Sequence, residues 1–213
     1  MKPDLVRAEP SRHLVITCGV LEKELLAWPK REHFHLDFVF LPSSLDLDYD
    51  RLEAAITKSL RRAASLQYDK RFVLYGQCHP LITEFVARNG GILLPLGNCF
   101  ELLLGKEAYQ EELAKGTYFL LPQWAGQWNR IFTRKLGFTS DTACLFFPEM
   151  HVKALYLDTG FAYQPAFQAQ PFTAFTRLPV EFRKVDLRGM HERLHTAFTM
   201  LLGSEELDAM SQD

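Results

Sequence analysis

Three of the four cysteines in this 213-residue chain stand in the same kind of place. Cys18 follows the apolar run Leu14 to Thr17, Cys78 follows Phe72 to Tyr75, and Cys99 follows Ile92 to Leu96. Each run reads as a β-strand, and each cysteine falls just before or at the start of a stretch with helical spacing. A helix N-terminus favours negative charge, so these thiols are expected to ionise readily. Thiolates bind metal or attack electrophiles. Three of them with an open position suit a zinc ion that presents a thiol or water to chemistry. Three can also hold an iron–sulfur cluster with one iron left open, although four is the usual number, or two can cycle as a redox pair. There is no Cys-x-x-Cys, so the spacing selects no one metal. The competing reading is packing, because cysteine is among the most buried residue types. Cys144, inside Thr142-Ala-Cys-Leu-Phe146, is read that way.

Several neighbours could complete such a site. Glu22 lies four residues after Cys18, about one helical turn, and is a candidate general base or exchangeable ligand; otherwise it is a solvated helix carboxylate. His79, beside Cys78, is a candidate fourth metal ligand, against a histidine facing solvent at a helix start. Asp46 and Asp158 follow strands and could serve the site or only cap a helix or turn. Gly19, Gly76 and Gly97 permit tight turns or close approach of a cofactor to the backbone, but they form no G-x-G-x-x-G. Trp124 could wall a pocket or belong to the core. One formal motif competes with the cysteines: His191-Glu192-Arg-Leu-His195 matches the H-E-x-x-H zinc signature. Phe198 and Leu201 stand where the extended motif needs Gly and His, and only Glu205 or Glu206 could supply a third ligand, so this stretch is read as a solvated helix.

The elements that must position these residues alternate along the chain. Strands are expected near 13–18, 34–41, 71–75, 91–96, 117–121, 153–157 and 180–185. Helices are expected near 20–28, 49–66, 80–88, 99–104, 107–114, 124–136, 140–147, 165–177 and 190–202. Apolar strands alternating with helices predict an α/β fold, a Rossmann-like and mostly parallel sheet with helices on both faces. Right-handed crossovers then bring the strand C-termini, and the three cysteines, to one edge. Residues 13–203 are expected to form a single domain, with an N-terminal extension over 1–12 and a frayed tail over 204–213.

Hydrophobic residues are 47% and charged residues 23%, enough for a core and against disorder. The formal net charge is -2 and the densest basic stretch, Lys58 to Arg62, has helical spacing, so nucleic acid is not an expected partner. The polar first ten residues carry no signal-peptide core and no apolar run is long enough for a bilayer; a cytoplasmic protein without membrane contact is expected.

Cys18-Gly-Val-Leu-Glu22, Leu41-Pro42, Tyr75-Gly-Gln-Cys78, Asn98-Cys99-Phe-Glu-Leu-Leu-Leu-Gly105, Gly116-Thr-Tyr-Phe-Leu120 with Trp124, and Asp158-Thr-Gly160 extend over most of the chain. Taken together, this set resembles the DUF1638 domain proteins, a bacterial and archaeal group without an assigned function. The resemblance implies that Cys18, Glu22, Cys78 and Cys99 are family-pattern positions. It also implies an association with corrinoid and one-carbon metabolism. Two positions depart from the pattern: Leu45-Asp46 stands where Leu-His is frequent, and His79 where Gly is frequent. If the family histidine is a ligand, Asp46 or His79 must replace it.

These readings lead to an expected three-cysteine metal protein, a zinc-dependent thiol or methyl-group transferase acting on a small molecule. An iron–sulfur lyase or reductase is one alternative. A non-catalytic protein that binds or delivers a metal or corrinoid cofactor, with a corrinoid protein as partner, is another.

Overall fold

Apolar side chains on successive strand residues point to opposite faces, so a strand apolar at every position needs cover on both sides. The chain meets that demand with parallel strands enclosed by helices. The computed structural model describes residues 11–203. The expected tail, the two glutamates Glu205 and Glu206 and all but the last two residues of the expected extension lie outside the described residues.

Among the described residues seven strands form: β1 (His13–Cys18), β2 (Leu36–Leu41), β3 (Lys70–Leu74), β4 (Ile92–Leu93), β5 (Thr117–Leu120), β6 (Lys153–Asp158) and β7 (Val180–Lys184). All pairings are parallel, and the α/β class expected from the sequence is the one observed. The strands make two sheets rather than one, ordered β2-β1-β3-β4 and β5-β6-β7. The alternation of strands and helices is the same for one sheet or two; which strands pair is a tertiary choice. Here β4 has only two residues to offer a neighbour, against six for β1.

The helices are α1 (Glu22–Leu26), α2 (Tyr49–Ala64), α3 (Ile82–Arg88), α4 (Cys99–Leu104), α5 (Lys106–Ala114), α6 (Pro122–Ala125), α7 (Trp128–Arg130), α8 (Ser140–Met150), α9 (Ala169–Thr176) and α10 (Leu187–Leu202). The single helix expected over 124–136 is instead α6, α7 and a π-helical turn over Ile131–Lys135. Gly126 stands at the end of α6, where a Cβ would lie 2.0 Å from the Pro165 carbonyl oxygen, so only glycine lets that segment approach.

Strand alternation divides the core into three layers. In β1, Leu14 and Ile16 pack toward α2 and α3, while Val15 faces the opposite way. In β3, Val73 follows the first pair and Phe72 and Leu74 the second. The second sheet sends Phe119, Leu155 and Leu157 into that same cluster, where α10 adds Met190, Leu194 and Phe198. Its other face, through Leu120 and Ala154, packs on α6 to α9. The two sheets therefore share one central core.

Strand β5, at the border of the second sheet, is held by a buried acid. Glu112 on α5 is 3% exposed. It accepts from Arg183 Nη2 of β7 at 2.6 Å, from Thr117 Oγ1 of β5 at 3.0 Å and from Lys115 Nζ at 3.2 Å, with Lys153 Nζ of β6 at 3.2 Å. Burial opposes its ionisation, but these four donors prevail and bring its pKa down to about 2. A carboxyl whose folded pKa lies below the ordinary value of 4.5 stabilises the fold above that value. The contribution fades as pH falls from there toward 2. Glu112→Gln is expected to cost about 2–3 kcal/mol near pH 7, less than a fully buried pair because Arg183 and Lys115 reach solvent. Urea unfolding of both proteins should show that difference shrinking as pH drops below about 4.5.

Candidate functional site

The first sheet changes strand order between β1 and β3: β2 lies on one side of β1, and β3 with β4 on the other. A crevice opens beyond the strand C-termini at such a point. Here it is a cavity of about 400 Å³. Every strand of the first sheet sends one side chain to it from its own exit. Cys18 comes from the end of β1, Asp46 from the 3-10 turn Ser43–Leu47 after β2, Cys78 from the turn after β3, and Cys99 from the start of α4 after β4. The shared edge expected for the three cysteines is therefore present, and Asp46 joins them. The second sheet supplies the facing wall from border strand β5 and its flanks, with Tyr118, Phe119, Leu121, Trp124 and His151.

Local chemistry explains each placement. Asn98 caps α4, its Oδ1 accepting from the Phe100 and Glu101 amides at 3.0 Å, while its Nδ2 donates to Tyr109 at 2.9 Å. That sets Cys99 as the first helical residue. Asp48, rather than Asp46, caps α2 by accepting from the Arg51 amide at 3.1 Å, which leaves Asp46 free to face the cavity. The turn bearing Asp46 is tied across the seam by Ser43 Oγ to Gln123 Oε1 at 2.9 Å and Lys135 Nζ to Ser44 Oγ at 2.7 Å.

The thiols are not poised to ionise, contrary to the expectation from helix N-termini. Burial pushes the Cys18 thiol up to about 12, aided by Asp46 and Cys78 and opposed by the Val20 amide. Burial and Asp46 push Cys78 up to about 11. Cys99 is raised well above the ordinary value by burial, Cys78, Cys18 and Asp46. The helices that follow are too short for their dipoles to win: a 3-10 turn and five residues after Cys18, six residues at Cys99, and for Cys78 a helix that starts only at Ile82. Burial likewise raises Asp46 to about 6 against the Asp46 and Leu47 amides and Lys135. Among the described residues no set of three or more His, Cys, Asp or Glu side chains is gathered, as it stands, to hold a metal ion.

Other candidates lie elsewhere. Glu22 is exposed and does not line the cavity. Residues Gly19–Leu21 form a 3-10 turn of three residues per turn, which rotates Glu22 away from the line an α-helix would give it. The carboxylate that α1 buries is Glu24, which accepts from Thr159 Oγ1 at 2.6 Å and Tyr163 OH at 2.8 Å. His79 is buried, not solvent-facing, and is also off the cavity. Its ring packs edge-on against Tyr49 and Phe85, and its Nδ1 accepts from the Leu81 amide at 3.0 Å. The turn closed by the Cys78 amide on the Tyr75 carbonyl sends Cys78 to the cavity and His79 to α2 and α3. Asp158 caps its own exit turn through the Gly160 amide at 2.9 Å. Among the described residues His191 and His195 belong to no group of three or more His, Cys, Asp or Glu that could hold a metal; His195 packs on Phe34 and lies 3.5 Å from Thr199 Oγ1. Trp124 does wall the pocket.

Tyr75, Tyr118 and His151 complete the lining without having been singled out in the sequence. For Tyr75 the signal was its place as the last apolar residue before Gly76; for the others there was none, since they reach the cavity from the second sheet.

Of the three glycines, Gly97 lines the cavity, whereas Gly76 and Gly19 serve the chain's own close approaches. At Gly76 (φ +52) a Cβ would lie 2.2 Å from the Gly97 carbonyl oxygen, so the turns after β3 and β4 touch backbone to backbone. At Gly19 a Cβ would lie 3.1 Å from the Leu41 carbonyl oxygen. Gly76→Ala is expected to destabilise by more than about 2 kcal/mol, through both the left-handed backbone and the collision. Gly19→Ala should cost under half of that; thermal melting of the two variants checks the order.

A family model described as "Protein of unknown function (DUF1638)" matches residues 40–194. A search of curated proteins gives no match. A crystal structure of a Yersinia pestis protein provisionally described as an Asp/Glu racemase is similar at 9% identity, covering 94% of this chain and 100% of that one, with a TM-score of 0.34. A likeness that distant carries no argument here. The family match runs from the end of β2 into α10, takes in Asp46, Cys78 and Cys99, and spans well over half of the sequence; the chain belongs to the DUF1638 family.

Proposed function

We propose that Cys18, Cys78 and Cys99 hold a soft metal centre, zinc in the first instance, at the edge of the cavity, and that Asp46 acts beside it as a further ligand or proton acceptor. One observation carries this reading: four neighbouring strand exits each deliver a thiol or a carboxyl to one chamber. Packing alone gives no reason for that coincidence of residue type and place. The donors suit the metal, since thiolates are zinc's preferred soft ligands. Bound zinc would supply Lewis acidity and a nucleophile at neutral pH, the chemistry of thiol or methyl-group transfer. The residues would do the rest. The thiols would give up their protons to bind, and the apolar side chains of the far wall would help to exclude water. A small-molecule substrate, and a corrinoid or a corrinoid-bearing partner in one-carbon chemistry, belong to this proposal.

A second reading uses the same ligands: three cysteines facing one chamber would also suit an iron–sulfur cluster with one iron left open.

Protein purified without oxygen or added metal is expected to carry about one zinc per chain and no colour by elemental analysis. Cys18→Ser, Cys78→Ser and Cys99→Ser should each lose most of it, and Cys144→Ser should not. Several irons with broad visible absorption would transfer the proposal to a cluster. If neither metal is present and neither binds when added back, the proposal fails. Because Cys18 and Cys78 keep their protons up to about 12 and 11 in the metal-free chain, zinc binding at pH 7 must release them, and affinity must rise with pH. Calorimetry in buffers of different ionisation enthalpy should read about one proton per cysteine engaged.

A further inference from the structure

What can enter the cavity is set by what lines it. No lysine or arginine is among its lining residues within the described chain. Lys135, whose charge acts on Asp46, is turned to Ser44 Oγ at 2.7 Å. A phosphate or carboxylate would leave water for a chamber that holds a carboxyl and three thiols and offers no lysine or arginine; burial favours the neutral form of His151, and three bound thiolates would outweigh the charge of a zinc ion. Burying such an unpaired ion is strongly unfavourable. A cation would meet Asp46, but Lys135 already offsets that charge, and most of the remaining lining is apolar.

The apolar wall has a direction. Phe100, Phe119, Leu121 and Trp124 face the chamber, and Leu47, Leu113 and Leu136 line it while staying 38%, 52% and 45% exposed. Apolar surface thus continues from the interior to the mouth. Tyr75 is 4% exposed and lines the cavity; its hydroxyl oxygen is buried without a hydrogen-bond partner, so an occupant reaches it when the ring turns toward the chamber. Buried tyrosine hydroxyls are ordinarily paired, so an unpaired one at a cavity wall is a vacant donor.

We propose that the occupant is an uncharged, largely apolar molecule bearing one hydrogen-bond acceptor, such as a carbonyl oxygen. That oxygen takes the Tyr75 hydroxyl near Cys18 and Cys78, and the apolar body runs past Trp124 to the leucines at the mouth. This rests on the reading of the cavity as the substrate site of the cysteine centre.

Three probes with similar chains and different heads test it: 2-undecanone, decanoate and decyltrimethylammonium. Each is titrated calorimetrically into the full chain as purified and after metal removal by a chelator, with metal content measured on the same samples. Quenching of Trp124 fluorescence, judged against Trp124→Phe, reports whether the probe lies in the cavity. The ketone is expected to bind at least ten-fold more tightly than either charged probe in both preparations and to quench Trp124. Tyr75→Phe should weaken the ketone roughly three- to ten-fold, the value of one hydrogen bond, without changing the decanoate. If Tyr75→Phe does not fold, as judged by melting, the ranking of the three heads in the native chain decides alone. Equal or tighter binding of decanoate or of the ammonium probe overturns the proposal, as does ketone binding that leaves Trp124 unchanged, or a folded Tyr75→Phe with undiminished affinity. Loss of the ketone preference with zinc still bound faults the ligand class, whereas an intact preference in a chain that never holds metal faults the metal reading.

Discussion

The structure depends on a single packing constraint: two parallel sheets must bury one face each against the same central core. Val15, Phe72 and Leu74 from one sheet and Phe119, Leu155 and Leu157 from the other meet around α10, whose Met190, Leu194 and Phe198 fill the space between them. Apolar burial of this kind is the main favourable term in folding. It fixes the distance and facing of the sheets. The cavity is the part of that seam, at the strand C-termini of the first sheet, that side chains leave unfilled. Its walls are inherited from the core packing.

The chamber's electrostatics follow from its position. Three thiols and a carboxyl are brought together in a space that solvates charge poorly, so burial makes all four harder to ionise, and Asp46 raises each of the thiols further. A grouping of this kind gains nothing for the fold by itself. A cation bound among the thiols would reverse the sense of every one of these interactions, since a metal is the largest local charge in any site it occupies. That reversal is the physical link between the buried cysteines and the metal centre proposed for them.

Rigid supports flank the chamber on both sides. The Glu112 network joins α5, β5, β6 and β7, and Thr117, one of its members, also lines the cavity. On the opposite side Gly76 and Gly97 bring two strand exits into backbone contact. Glu24 fastens α1 to the exit of β6 through Thr159 and Tyr163. Between these supports, Ser43–Gln123 and Ser44–Lys135 bridge the turn carrying Asp46 to the second sheet's helices and π-helical turn.

Local pattern was enough to read the strands, most of the helices and the common edge of Cys18, Cys78 and Cys99. Each of these rests on residues near one another in the chain: alternation within a strand, a cysteine following an apolar run. Contacts between distant segments decided the remainder. Nothing near β4 or β5 in sequence says that they do not pair, so the division into two sheets was hidden. The direction of Glu22 depended on a 3-10 turn, and that of His79 on a reversal at Tyr75-Gly76-Gln77-Cys78. Tyr118 and His151 reach the chamber only because the second sheet packs where it does. By itself the sequence determined which residues end the strands, and so which side chains could meet at an edge. Tertiary structure decided which of them face the cavity and how strongly they ionise, because orientation and burial are properties of the packed whole.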